Sequence, residues 1–249
     1  EDTWDVVKGN NHWARADFPT NAPGLDWDAF FSAANLADIP ARAAWQPSAI
    51  TGLSALAASE SLDDWKALLT YHAIEHHASV LPAALGQEAF AFFGQTLRGA
   101  PEQSPRARRA VDATSNALGF AVGRLYVTRY FPASAKARAE TMVAGIIRAL
   151  DARIVRLAWM APATKAEARA KLKTLRVSVG YPDVWPDYHG LDIAAGDAYG
   201  NADRLERFSY ERNIAKLHRP VDRTEWSMTP QQVNAVNMPA MNAMNFPAA

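Results

Sequence analysis

From Asp26 to Leu175 the chain keeps a nearly unbroken helical periodicity, cut into lengths by prolines and a few glycines. Proline lacks an amide hydrogen and its ring clashes with the preceding turn, so it opens helices or ends them. Residues 1–24 read as a helix remnant followed by loop. Asp26–Ala37 is a short helix with Trp27, Phe30 and Phe31 clustered. Pro40 and Pro47 bracket a connection, and Ser48–Ala58 is Ala-rich and helical. Ser61 is placed to cap the next helix, with Asp63 and Asp64 favourable in its first turn. Leu62, Trp65, Leu69, His72, His76 and Val80 then recur every three or four residues, which puts them on one face of a long amphipathic helix. Phe90, Phe93 and Leu97 mark a further helix, stopped by Gly99 and Pro101. Ser104–Tyr130 and Ala133–Trp159 continue the pattern, and Pro162 opens a short basic helix, Lys165–Leu175. Helices with one apolar face must bury it against something, so this stretch predicts a mainly α, bundle-like layer.

The character changes at Arg176. Val177 and Val179 alternate with polar neighbours as a strand does. Gly180 and the prolines after it mark a long turn, and Asn201–Leu217 forms one more helix. Near the end, Val233–Met238 and Met241–Phe246 flank Pro239-Ala240, with Pro247 just beyond. These prolines bar a helix interior, so the two runs read as extended segments joined by a tight bend. A boundary is placed near residue 175, with residues 1–175 forming a helical domain and residues 176–249 the first part of a mixed α/β one.

Composition narrows the function classes. Formal net charge is zero, which argues against a nucleic-acid surface or a basic membrane-binding face. Arg106, Arg108 and Arg109 read as a solvated helix face. Apolar runs are short and interrupted by charge, so no transmembrane helix is expected. Cysteine is absent, which excludes disulfides and thiolate metal ligands. No Gly-x-Ser-x-Gly elbow or phosphate loop occurs.

Two patterns carry possible chemistry. His72-Ala-Ile-Glu75-His76 matches the inverted His-x-x-Glu-His zinc motif, and on a helix His72 and His76 share a face. That face also carries Trp65 and Leu69, and the sequence points to no acidic third ligand. The pair reads as packing histidines, and no metal ligand is assigned. Asn234-Ala235 lies in the extended C-terminal segment. Taken alone it is an ordinary loop asparagine. On an edge strand, however, an amide offers a donor and an acceptor to a peptide laid alongside.

Several blocks decide between these readings of Asn234. Asn234-Ala235, Pro239, Asn242 and Phe246-Pro247-Ala248 resemble, without a gap, the substrate-edge segment of the neprilysin and endothelin-converting-enzyme family of zinc metallopeptidases. Gly180-Tyr181-Pro182-Asp183, Trp185 and Asp187-Tyr188 match another stretch of that family. So do Pro220-Val221-Asp222-Arg223 with Glu225-Trp226 and Met228-Thr229-Pro230, and Val122-Gly123 with Leu125-Tyr126 and Tyr130-Phe131-Pro132. Val236-Asn237 replaces the family's tyrosine pair and Met238 its next asparagine, which alters the rim of the site.

The resemblance implies a mainly α chain, with a large helical cap domain followed by the first part of a thermolysin-like α/β catalytic domain. It implies a zinc metalloendopeptidase that hydrolyses oligopeptides by zinc-activated water, with Asn234 and Ala235 holding the substrate backbone. The family's His-Glu-x-x-His helix does not occur here, and Glu1-Asp2-Thr3-Trp4 looks like the middle of a family member. The chain is therefore expected to be an internal piece, inactive by itself, with a companion segment carrying the zinc. Zero cysteine suggests a bacterial-type member, and the family's habit suggests the periplasm or exterior. The alternative is a non-enzymatic helical binding module from a pseudo-peptidase.

Overall fold

Prolines set where many of the helices begin. The computed structural model describes residues 5–249, so Glu1–Trp4 lies outside the described residues. In chain order the elements are α1 (Val6–Gly9), β1 (His12–Ala14), α2 (Phe18–Asn21), α3 (Trp27–Ala33), β2 (Ala41–Ala43), α4 (Pro47–Ser59), α5 (Leu62–His77), α6 (Ala83–Ala89), α7 (Arg106–Ala117), α8 (Gly119–Tyr130), α9 (Ala133–Arg156), α10 (Pro162–Thr174), β3 (Arg176–Gly180), α11 (Ala198–Lys216), β4 (Val236–Met238) and β5 (Ala243–Pro247). Pro47 and Pro162 occupy the first positions of α4 and α10, where no amide is needed. Pro82, Pro105 and Pro132 stand immediately before α6, α7 and α9. Carboxylate and hydroxyl caps start others. Ser61 Oγ accepts from the Asp64 amide at 3.2 Å, and Asp26 accepts from that of Ala29 at 2.9 Å. The fold is mainly α, as the periodicity predicts.

The chain groups into two compact units. One holds the residues up to Gln103 together with Leu191–Pro220, and the other holds Ser104–Gly190 together with Val221–Ala249. The change of character at Arg176 is the start of β3, inside the second unit.

The first unit is built on an aromatic nest. Phe18, Ala22, Trp27 and Phe31 are buried together, with Trp13, Leu36 and Ile50 packed on them. Phe18 meets Phe31 edge to face at 5.0 Å between centroids, the arrangement that ring quadrupoles favour. Trp27 Nε1 and Ser54 Oγ both donate to the Ala22 carbonyl at 2.7 Å, so two buried donors share one acceptor. β1 and β2 pair antiparallel with Trp13 opposite Arg42. The Arg42 guanidinium lies 3.7 Å from the Phe31 ring centroid, and burial lowers its pKa.

In the second unit α9 and α10 are joined by a bidentate pair, Arg169 to the two oxygens of Asp151 at 2.7 and 3.0 Å. That bond holds the Asp151 carboxyl below its ordinary pKa. The sheet has the order β3-β5-β4, with β3 parallel to β5 and β4 antiparallel to it.

Three expectations are corrected. The single helix expected over Ser104–Tyr130 is two, α7 and α8, broken at Leu118 with φ −117° and ψ 37°. No proline marks the break. It sets Gly119 and Gly123 against the chain at Thr229–Gln231, where an added Cβ would come within 2.6 Å of Thr229 and of Pro230. The Phe90–Leu97 helix winds as a π-helix over Phe90–Thr96. The face of α5 is not a buried one, since Leu62 is 69% and Leu69 62% exposed. Periodicity states which residues share a face and not what covers it. Along α8 and α9, Leu125, Met142 and Ile146 are exposed too.

Candidate functional site

The C-terminal hairpin forms as its prolines require. β4 leads into a 3-10 turn at Pro239–Met241, and β5 returns beside it with Val236 opposite Asn245 and Met238 opposite Ala243. Asn242 closes the bend in the left-handed region at φ 45°, which asparagine tolerates better than most residues. Its side-chain amide donates to the Lys171 carbonyl at 2.9 Å and to Thr174 Oγ1 at 3.0 Å. Arg223 completes the clamp, donating to the carbonyls of Met241 and Thr174 at 2.8 Å. An ion-pair network is one reading of Asp222, Arg223 and Glu225. What the structure gives Arg223 is this set of backbone carbonyls. On the far side the amides of Ala248 and Ala249 both donate to the Pro230 carbonyl, at 3.0 and 3.1 Å.

Asn234 and Ala235 sit immediately before β4, and both are exposed. Asn234 Oδ1 accepts from the Ala235 amide at 2.8 Å, which orients the side chain at the mouth of the strand. β4 is a terminal strand of its sheet. A terminal strand directs alternate amides and carbonyls outward, unpaired, and so is a template for an added strand. The residues that depart from the resembled pattern lie on β4 itself, with Asn237 exposed and Val236 and Met238 half-buried. On β5, Asn245 is buried and its Oδ1 has no hydrogen-bond partner.

A cleft of about 570 Å³ runs along β3, between Lys136, Glu140, Val177, Val179, Asp183 and Trp226. Lys136 Nζ is held there by Asp183 at 2.6 Å and by the Tyr181 carbonyl at 3.0 Å, with the Tyr181 ring beneath it. Tyr181 in turn stacks on Trp185, so the Gly180–Tyr188 turn is an ordered connection. This cleft can bind, but its groups include no paired nucleophile and base.

The histidines fall differently from the sequence pattern. His72 and His76 are exposed, so they do not pack a core. His76 instead lies beside His77 and Glu206, with His76 Nε2 2.7 Å from Glu206 Oε1. His72 belongs to no such group among the described residues. Glu206 stands 130 positions away in sequence, and no local signal could have named it. The zinc site of the resembled family needs two histidines one helical turn apart with a glutamate immediately after the first, His-Glu-x-x-His. No such pattern occurs in these 249 residues, and the trio does not have that form, so no catalytic step is derived through zinc.

Comparison with known proteins gives a consistent answer. The family model for Peptidase family M13 matches residues 1–182. Human endothelin-converting enzyme-like 1 is 33% identical over 168 residues, 65% of this chain and 22% of that protein. Neprilysin-3 of Drosophila melanogaster is 28% identical over 244 residues, 91% of this chain and 31% of that protein. Among solved structures, the zinc metalloprotease Zmp1 of Mycobacterium tuberculosis, in complex with an inhibitor, superposes with a TM-score of 0.90 at 39% identity, over 99% of this chain and 37% of that one. The chain thus spans about a fifth to a third of the length of these curated relatives.

Proposed function

Starting from a chain that belongs to peptidase family M13, we propose that it supplies the cap and the substrate edge of a neprilysin-type zinc metalloendopeptidase. Residues 1–175 are the cap that limits substrates to peptides, and residues 176–249 begin the catalytic domain. The observation that carries the reading is the exposed Asn234-Ala235 pair at the entry to β4, an edge strand whose hairpin is clamped by Arg223 and Asn242. A peptide backbone laid along β4 finds amides and carbonyls at the pitch of its own. The Asn234 amide adds a donor and an acceptor that do not depend on the peptide's side chains. Fixing the edge before substrate arrives lowers the ordering cost of binding. The zinc and its activating glutamate come from a companion segment, so the 249-residue chain alone hydrolyses nothing. Exposed apolar residues on α8 and α9, among them Leu125 and Ile146, support such a companion. The setting we propose is the periplasm or the exterior, by resemblance to the family. Among the described residues no helix is long and apolar enough to cross a membrane.

The test is Asn234→Ala in the full-length enzyme, assayed on an oligopeptide. Loss of a backbone-directed amide should lower kcat/KM about 10- to 100-fold, on the order of 1.5–3 kcal/mol, with zinc content unchanged. An unchanged kcat/KM removes Asn234 from the substrate site. Tight peptide binding with no hydrolysis by zinc-loaded full-length protein would instead favour a pseudo-peptidase that only binds.

A further inference from the structure

Two helices of the first unit carry three ligand-type side chains to one spot. His76 and His77 close α5, and Glu206 stands in the middle of α11. One ligand atom from each, an imidazole nitrogen of both histidines and a carboxylate oxygen of Glu206, all lie within 4.8 Å of one another. The rings are not free to scatter. His76 and His77 pack edge to face at 4.8 Å, and the Tyr199 ring meets His77 edge to face at 5.0 Å. Tyr199 is itself on the first turn of α11, so the same two helices supply both the ligands and the ring that meets His77.

We propose that His76, His77 and Glu206 form a zinc(II) site that ties the end of α5 to α11. Imidazole nitrogen and carboxylate oxygen are ordinary zinc ligands at about 2.0–2.2 Å, and three protein ligands leave a fourth position for water. Ligand atoms of a tetrahedral site stand about 3.3 Å apart at those bond lengths. Reaching that spacing takes only side-chain rotation, because the side chains of His76 and Glu206 are 63% and 50% exposed. His76 and His77 stand in the last turn of α5, the end of a helix that favours a positive charge. The site does not rest on the substrate-edge reading. The simpler description is a His76–Glu206 hydrogen bond alone, and His77 separates the two, since a hydrogen bond has no use for it.

The experiment titrates zinc chloride alone into the full-length protein at about pH 7.5, reading zinc per chain and the shift of Tm. Wild type should hold one zinc more than His77→Ala or Glu206→Gln, and added zinc should raise its Tm by more than theirs. His72→Ala, one turn away on the same helix, should behave as wild type. Equal zinc content and equal Tm response in wild type, His77→Ala and Glu206→Gln overturn the site. Loss of the extra zinc in His72→Ala overturns it as well, assigning the ion to the His72–His76 pair. All these side chains are at the surface or half-buried, so the variants should remain folded.

Discussion

The aromatic nest around Phe31 and the C-terminal hairpin are both well held, but by different means. The nest joins residues close in sequence, from Trp13 to Ser54, and is held mainly by buried apolar area and ring contacts. The hairpin exposes much of its surface and is held by directed bonds, with Arg223 and Asn242 donating to backbone carbonyls on α10 and at the bend and the Pro230 carbonyl accepting from the amides after β5. The difference shows that order need not follow burial. An exposed segment is held in place when its carbonyls and amides have dedicated partners, and the edge proposed to bind a peptide would need that kind of order.

Substitutions should separate the two regions. The largest effect is expected for Phe31→Ala, which empties a site only 2% exposed and should cost about 3–5 kcal/mol, read as a lower Tm of the whole chain. Arg223→Ala should cost about 1.5–3 kcal/mol, because a charged donor to three carbonyls is lost. Its signature should be faster amide exchange across β5 with protection of α3 unchanged. If α3 loses protection equally, the two regions are not independently held. Asn242→Ala should cost about 1–2 kcal/mol, from two lost hydrogen bonds and a positive φ that alanine resists.

Acid should act on the second unit through Asp151. Its folded pKa is lowered, chiefly by the hydrogen bond from Arg169, so its contribution is present above the unfolded carboxylate value of about 3.9 and is lost as pH falls below it. The Tm difference between wild type and Asp151→Asn should therefore close between about pH 5 and pH 2. A difference that persists at the lowest pH would mean that the pair acts by packing and not by charge. Leu69→Ala should change stability least, by under about 0.5 kcal/mol, because the residue is 62% exposed. A larger loss in the full-length protein would show that a companion segment covers α5.

Much of the local structure was legible. The proline-opened helices, the Ser61 cap and the bend at Pro239 follow from single residues whose chemistry allows few alternatives. The prolines made the extended course of the C-terminal segment legible, but not that Asn234-Ala235 would stand at the entry to a terminal strand. The break at Leu118 was not, because the helical hydrogen bonds continue on either side of it, Leu118 to Thr114 and Val122 to Leu118. What sets it is the chain at Thr229–Gln231, more than a hundred positions away, which needs two glycines beneath it. Nor did periodicity foresee that Leu62 and Leu69 face solvent.

What the sequence determined by itself is therefore where elements start, stop and bend, since caps, prolines and alternation act within a few residues. Only the tertiary structure decided which of those elements meet. It set Glu206 beside His76, Arg223 under the hairpin bend and Gly123 against Pro230. The reason is that a side chain's partners across a hundred residues are chosen by how whole faces pack, and no local propensity encodes that choice.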